Sequence, residues 1–143
     1  MAKTKTAEQR EHISVPIQMR QVDSAEEAKN WERVVSIGAE SKSAKVAMHS
    51  AEKLAVNARF DEFTEMFELR RIKEAEGKRA WMVVSMTGVN TSSDRVAMAA
   101  AEALINAGEI HAALYLGLST HSDKARAYID DELQKRKKET GSL

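Results

Sequence analysis

Two stretches of the chain carry the residue types that hold phosphate. Gly38–Lys45 and Gly88–Arg95 both fit G-x-x-[ST]-x-S-x-[KR]. In each, a glycine ends an apolar run, hydroxyls surround a helix start, and a cation sits just inside it. Free backbone N–H groups at a helix start attract anions, and Ser, Thr, Lys and Arg add donors and charge. The candidate contacts are Lys42, Ser43 and Lys45 in the first stretch, and Ser92, Ser93 and Arg95 in the second. Helix capping alone accounts for every residue of the pattern except the cation.

Other constellations carry less chemistry. The run Ser119–Asp123 (STHSD) holds nucleophile, base and acid types, but catalytic triads draw their members from separate elements. It reads as the cap of a last helix. His12, His49, His111 and His121 lack i,i+4 spacing, and there are no cysteines, so no metal set or disulfide is expected. Gly88 without further loop glycines is too little for a dinucleotide fingerprint. Trp31 and Trp81 have the chemistry to stack on bases, although core or dimer-interface packing is the favoured reading. The basic run KRKK at 135–138 suits phosphates or plain solvation. No nucleophile–base pair converges, so the chain reads as a binder that needs no cofactor.

The elements that position these residues are written twice. A shift of fifty aligns Trp31–Ala58 with Trp81–Gly108 without a gap, and ten of 28 positions are identical, including both tryptophans and Gly38/Gly88. Similarity at a fixed period marks a repeated supersecondary unit. WERVVSIG and WMVVSMTG, rich in Val and closed by Gly, are predicted strands. Helices are predicted over Ser43–Ala58 and Ser93–Ala107. In the second, Ala97, Ala100, Ala101, Leu104 and Gly108 share a face, and Asn106-Ala107-Gly108 is the stop. Ala47, Ser50, Ala51 and Leu54 repeat that face.

Ile110–Thr120 is predicted as a buried strand. Phe63–Ile72 is ambiguous, because the repeat argues for a strand and local propensity for a helix; the strand is favoured narrowly. His12–Val22 alternates and is expected to be an edge strand bent at Pro16. A last helix runs from Ser122 through Tyr128, Ile129 and Leu133. The order β, β-α-β, β-α-β, α predicts an α+β ferredoxin-like sandwich from a duplicated β-α-β unit, with an extra N-terminal strand and a C-terminal helix. It is expected to form one domain over 12–138, between flexible tails at 1–11 and 139–143.

VVSMTGVNTSSDRVAMAAAEALINAGEIHAALYLGLSTHSDKARAYI, within Trp81–Leu133, resembles the β-α-β-α core of Alba-like proteins, stage V sporulation protein S in particular. The shared features are a Val-Ser strand, a Ser-bearing loop, an Ala-rich helix ending in Gly, a strand, and a second Ser/Lys-rich helix start. The resemblance implies a small dimer that binds nucleic acid through loops and basic residues. Here that implication falls on Ser92, Ser93, Arg95, Lys124 and Arg126.

Composition sets the bounds. The 143 residues contain 43% apolar and 31% charged residues, with Lys+Arg and Asp+Glu equal at 22, so bulk charge steers no polyanion toward the chain. The polar start MAKTKTAEQREH has no signal-like apolar run, and VAMAAAEALINA is too short to span a bilayer. A cytoplasmic homodimer binding DNA or RNA is therefore expected. The rival is a homo-oligomeric adaptor that buries Val83–Met86 and Leu114–Leu118 against identical subunits. A third reading is an enzyme or binder of a phosphorylated small molecule.

Overall fold

The computed structural model describes residues 7–140, with side chains from 15 to 139. Residues 1–6 and 141–143, the outer parts of the expected tails, lie outside the described residues. The side chains of His12, Ile13 and Ser14 lie outside them too.

Among the described residues eight helices follow one another: α1 (Ala7–Glu27), α2 (Trp31–Glu40), α3 (Ala44–Val56), α4 (Phe60–Gly77), α5 (Trp81–Asn90), α6 (Asp94–Asn106), α7 (Ile110–Ser119) and α8 (Asp123–Thr140). Among the described residues there is no strand. This overturns the ferredoxin-like sandwich and, with it, the Alba-like core. The stretches predicted as strands in both repeats, at Ile110–Thr120 and at 12–22 are helices, and the ambiguous 60–76 is helical too.

The physical reason lies in the spacing of what is buried. In α2 the buried residues are Val34, Val35, Gly38 and Ala39; in α5 they are Val84, Ser85, Thr87 and Gly88; in α7 they are Ala113, Leu116 and Gly117. Intervals of three and four place each set on one side of a helix. In α1, Val22 and Ala25 are buried, and Pro16 sits inside the helix. β-branched content favours a strand only where a sheet exists to receive it.

The chain divides into two compact units that meet in sequence between Phe67 and Glu68. In the first, α2 packs on α3, and α1 lies against both. In the second, α5 packs on α6, α7 lies against both, and α8 lies against α6 and α7. The glycines of the repeat mark the crossings. A Cβ on Gly88 would stand 2.7 Å from Ala100 Cβ and 2.9 Å from Leu116 Cδ1; one on Gly38 would stand 2.7 Å from Ser50 Cβ. Only a bare backbone lets the helices approach this closely. The expected inner faces are buried at Ala47, Ser50, Ala51 and Leu54 of α3 and at Ala97, Ala100, Ala101 and Leu104 of α6, while Gly108, expected on the second face, lies past the end of α6 and is exposed.

Four helices end in the same turn. Lys29, Ala58, Arg79 and Gly108 have positive φ, and the next N–H (Asn30, Arg59, Ala80, Glu109) donates back to Ala25, Leu54, Ala75 or Leu104 at 2.8–2.9 Å. This is the Schellman closure, which prefers glycine at the left-handed position. Lys29/Arg79 and Ala58/Gly108 are each fifty apart, so the period extends beyond the segment in which sequence identity is visible.

Candidate functional site

The two hydroxyl loops are corners between helices, and a third of the same kind joins α7 to α8. In each, the first hydroxyl accepts from the N–H two residues on: Ser41 from Ser43 (3.1 Å), Thr91 from Ser93 (3.0 Å), Thr120 from Ser122 (3.0 Å). The second hydroxyl then caps the next helix, with Ser43, Ser93 and Ser122 accepting from Val46, Val96 and Ala125 at 3.1–3.3 Å. The first hydroxyl also ties the corner down: Ser41 donates to Gln18 of α1, and Thr91 donates to Glu68 of α4. Ser41, Thr91, Thr120 and Ser122 are buried. The cap expected from Ser119–Asp123 is therefore present.

Of the residues chosen for phosphate contact, Ser43 and Ser93 are the caps themselves. Lys42 and Ser92 occupy the middle position of their corners and are exposed, as are Lys45 and Lys124, while Arg95 is half-buried. Arg126 spans a corner: its guanidinium donates to the carbonyls of Gly117 and Thr120 and pairs with Asp123. It thereby satisfies carbonyls at the end of α7 that have no intrahelical partner. Trp31 is half-buried beneath the Arg59 guanidinium, 5.5 Å from its ring centre, and Trp81 packs against the core of the second unit. Among the described residues no group of His, Asp and Glu is placed to hold a metal ion. No described helix is long and apolar enough to cross a membrane.

Two apolar surfaces remain, one in each unit. The second unit presents Met82, Val83 and Met86 from α5 beside Leu114, Tyr115 and Leu118 from α7; Met82 is 73% and Leu118 84% exposed. Ser85 of α5 donates to the Ala112 carbonyl of α7 at 3.3 Å, which turns the two outer faces the same way. A shallow recess of about 320 Å³ lies on this surface between Met82, Met86 and Arg71. No Asp, Glu, Lys or Arg occurs anywhere in α5 or α7, and no other described helix lacks them.

The first unit holds a groove of about 480 Å³ over α3, lined by Met48, Ala51 and Ala55 and walled by Met19 of α1 and Phe63 and Phe67 of α4. The two phenylalanine rings meet edge to face, 5.0 Å apart. Polar residues edge it, with Lys45 and Glu52 on α3 and His49 hydrogen-bonded to Asp23 at 2.7 Å.

Sequence reading pointed first to the hydroxyls, named Val83–Met86 and Leu114–Leu118 only in the rival reading of buried strands, and missed the groove. The signal was present in the charge-free ten residues of WMVVSMTGVN and IHAALYLGLS, but a buried strand explains the same letters. Searches against protein-family models, curated proteins and solved structures found no match for the chain.

Proposed function

We propose that the protein is a cytoplasmic, non-catalytic assembly or adaptor protein that self-associates as a homodimer through the outer face of α5 and α7. The charge-free character of those two helices carries the reading. In a two-fold contact, residues near the axis meet their own copies, so any charge there would face a like charge. Helices without Asp, Glu, Lys or Arg escape that repulsion. At their exposures the six apolar side chains offer roughly 600 Å², near the roughly 800 Å² per partner of a standard interface. Solvent-facing apolar clusters of this size mark interaction sites on ordinary proteins.

Nucleic-acid binding through the two Ser loops is the lesser reading. Of the hydroxyls that motivated it, Ser43 and Ser93 already cap helices and only Ser92 is exposed, beside the ordinary exposed cations Lys42, Lys45 and Lys124. Sedimentation of the wild type against a Met82→Glu, Leu118→Glu double variant tests the proposal. A wild-type dimer and a variant monomer with the same helical circular dichroism are expected; a monomeric wild type ends the reading. Filter binding of DNA and RNA across salt is expected to show no retention. Steeply salt-dependent retention would return the phosphate contacts to the front.

A further inference from the structure

In the second unit the counterpart of the first unit's groove is already filled, and its occupant is α8. The period of fifty pairs Met48 with Met98, Ala55 with Ile105, Phe63 with Ala113 and Phe67 with Gly117. Around the second set lie Tyr128, Ile129 and Leu133 of α8, in one apolar cluster with Met98, Ile105 and Ala113. A Cβ on Gly117 would stand 3.4 Å from Ile129 Cγ2, and Arg136 donates to the Ile105 carbonyl at 2.7 Å. Met98 is consequently half-buried, whereas Met48 in the open groove is 63% exposed. The polar edge repeats in part, with Glu52 standing where Glu102 acts on Tyr128 of α8.

Among the described residues of the first unit no helix fills the first seat. α7 breaks at the Thr120–Ser122 corner, which lets α8 fold back. α4, its counterpart, has no corner and runs straight on to Gly77.

We propose that the groove formed by α1, α3 and α4 in the first unit is a docking seat for one amphipathic helix of a partner protein, lying parallel to α3 as α8 lies on α6. The seat specifies the chemistry of that helix. Phe67 occupies the space that Gly117 leaves for Ile129, so the partner presents Ala or Gly there. Ala55 is smaller than Ile105, so a large aliphatic side chain fills the next turn. A Lys or Arg near its C-terminus adds a second donor to the Ala55 carbonyl at the end of α3, as Arg136 adds one to Ile105. Apolar residues spaced i, i+4 and i+8 supply the contact stripe, the usual grammar of a helix in a groove.

The probe is a labelled synthetic peptide of residues 123–139 carrying Ile129→Ala, titrated by fluorescence anisotropy against the full-length protein. Saturable binding is expected, at least fivefold tighter than for the unaltered peptide. Met48→Glu, at an exposed position that the fold does not need, is expected to weaken it at least tenfold. Phe67→Ala is expected to reverse the preference toward the peptide that keeps Ile129. Absence of saturable binding by either peptide overturns the proposal. So does binding indifferent to Met48→Glu, which would mean that the peptide displaces α8 from the second unit. Repeating the titration on the Met82→Glu, Leu118→Glu variant separates this seat from the self-association face, because only the latter depends on those residues.

Discussion

The two units are built on the same helices but expose opposite surfaces. On α2 the outward positions are Glu32, Arg33, Ser36 and Glu40; on α5, fifty residues later, they are Met82, Val83, Met86 and Asn90. Thr64 and Glu65 of α4 likewise stand against Leu114 and Tyr115 of α7. The polar copy demonstrates that the fold does not require apolar residues at these positions. Their presence in the second unit therefore calls for an explanation outside folding, and burial against another molecule provides one. The grooves differ in the reverse sense, since the second unit covers its own with α8 and the first leaves it open.

The comparison can be broken most severely at the buried leucines. Leu54 and Leu104 occupy equivalent, fully buried positions. Each Leu→Ala change is expected to cost about 2–5 kcal/mol, whereas Glu102→Ala, on the exposed side of α6, is expected to cost less than about 0.5 kcal/mol. Denaturant midpoints decide this, and equal midpoints for Leu104→Ala and Glu102→Ala would mean that the inner face is misassigned.

The glycine crossings come next. Alanine is the better helix former by about 1 kcal/mol, yet a methyl on Gly88 meets Ala100 Cβ at 2.7 Å. Gly88→Ala is therefore expected to lose about 1–3 kcal/mol net, and Gly38→Ala to lose a similar amount against Ser50. A gain in either thermal melt would contradict the close crossing.

Ser50 offers a change of opposite sign. Its Oγ is buried with no hydrogen-bond partner among the described residues, and the second unit has Ala100 in its place. Removing an unsatisfied buried hydroxyl is expected to stabilise by about 1 kcal/mol. An unchanged or lower midpoint for Ser50→Ala would mean that the hydroxyl has a partner after all.

The smallest effect is at the helix ends. Ala58 holds φ of 56° where Gly108 holds 74°. Ala58→Gly is expected to gain about 0.5–1 kcal/mol and Gly108→Ala to lose about as much, because the left-handed region costs a Cβ-bearing residue about 1–2 kcal/mol. Opposite shifts in the two midpoints are the signature to look for.

Much of this architecture was legible in the letters. The period of fifty, the helices after each Ser cap, the inner faces ending at Leu54 and Leu104, and the Gly108 stop all follow from local rules of spacing and capping. The capping explanation of the Ser loops, available from the sequence, accounts for Ser43, Ser93 and Ser122 in the structure. What was not legible was the state of the ten-residue apolar runs. WERVVSIG satisfies a buried strand and a short helix alike, since a run shorter than three turns holds too few apolar residues to separate a period of two from one of 3.6.

Tertiary packing made that choice. Gly38 and Gly88, which close a strand in one reading, are the contact points of crossing helices in the other, and only the presence of Ser50, Ala100 and Leu116 opposite them distinguishes the two. The same holds for the surfaces. The sequence by itself determined that α5 and α7 would carry no charge, because that is a property of letters. Only the fold decided that Met82, Met86 and Leu118 would point outward while Val84, Gly88 and Leu116 pointed in. Exposure depends on which neighbours arrive from elsewhere in the chain, and no local rule contains them.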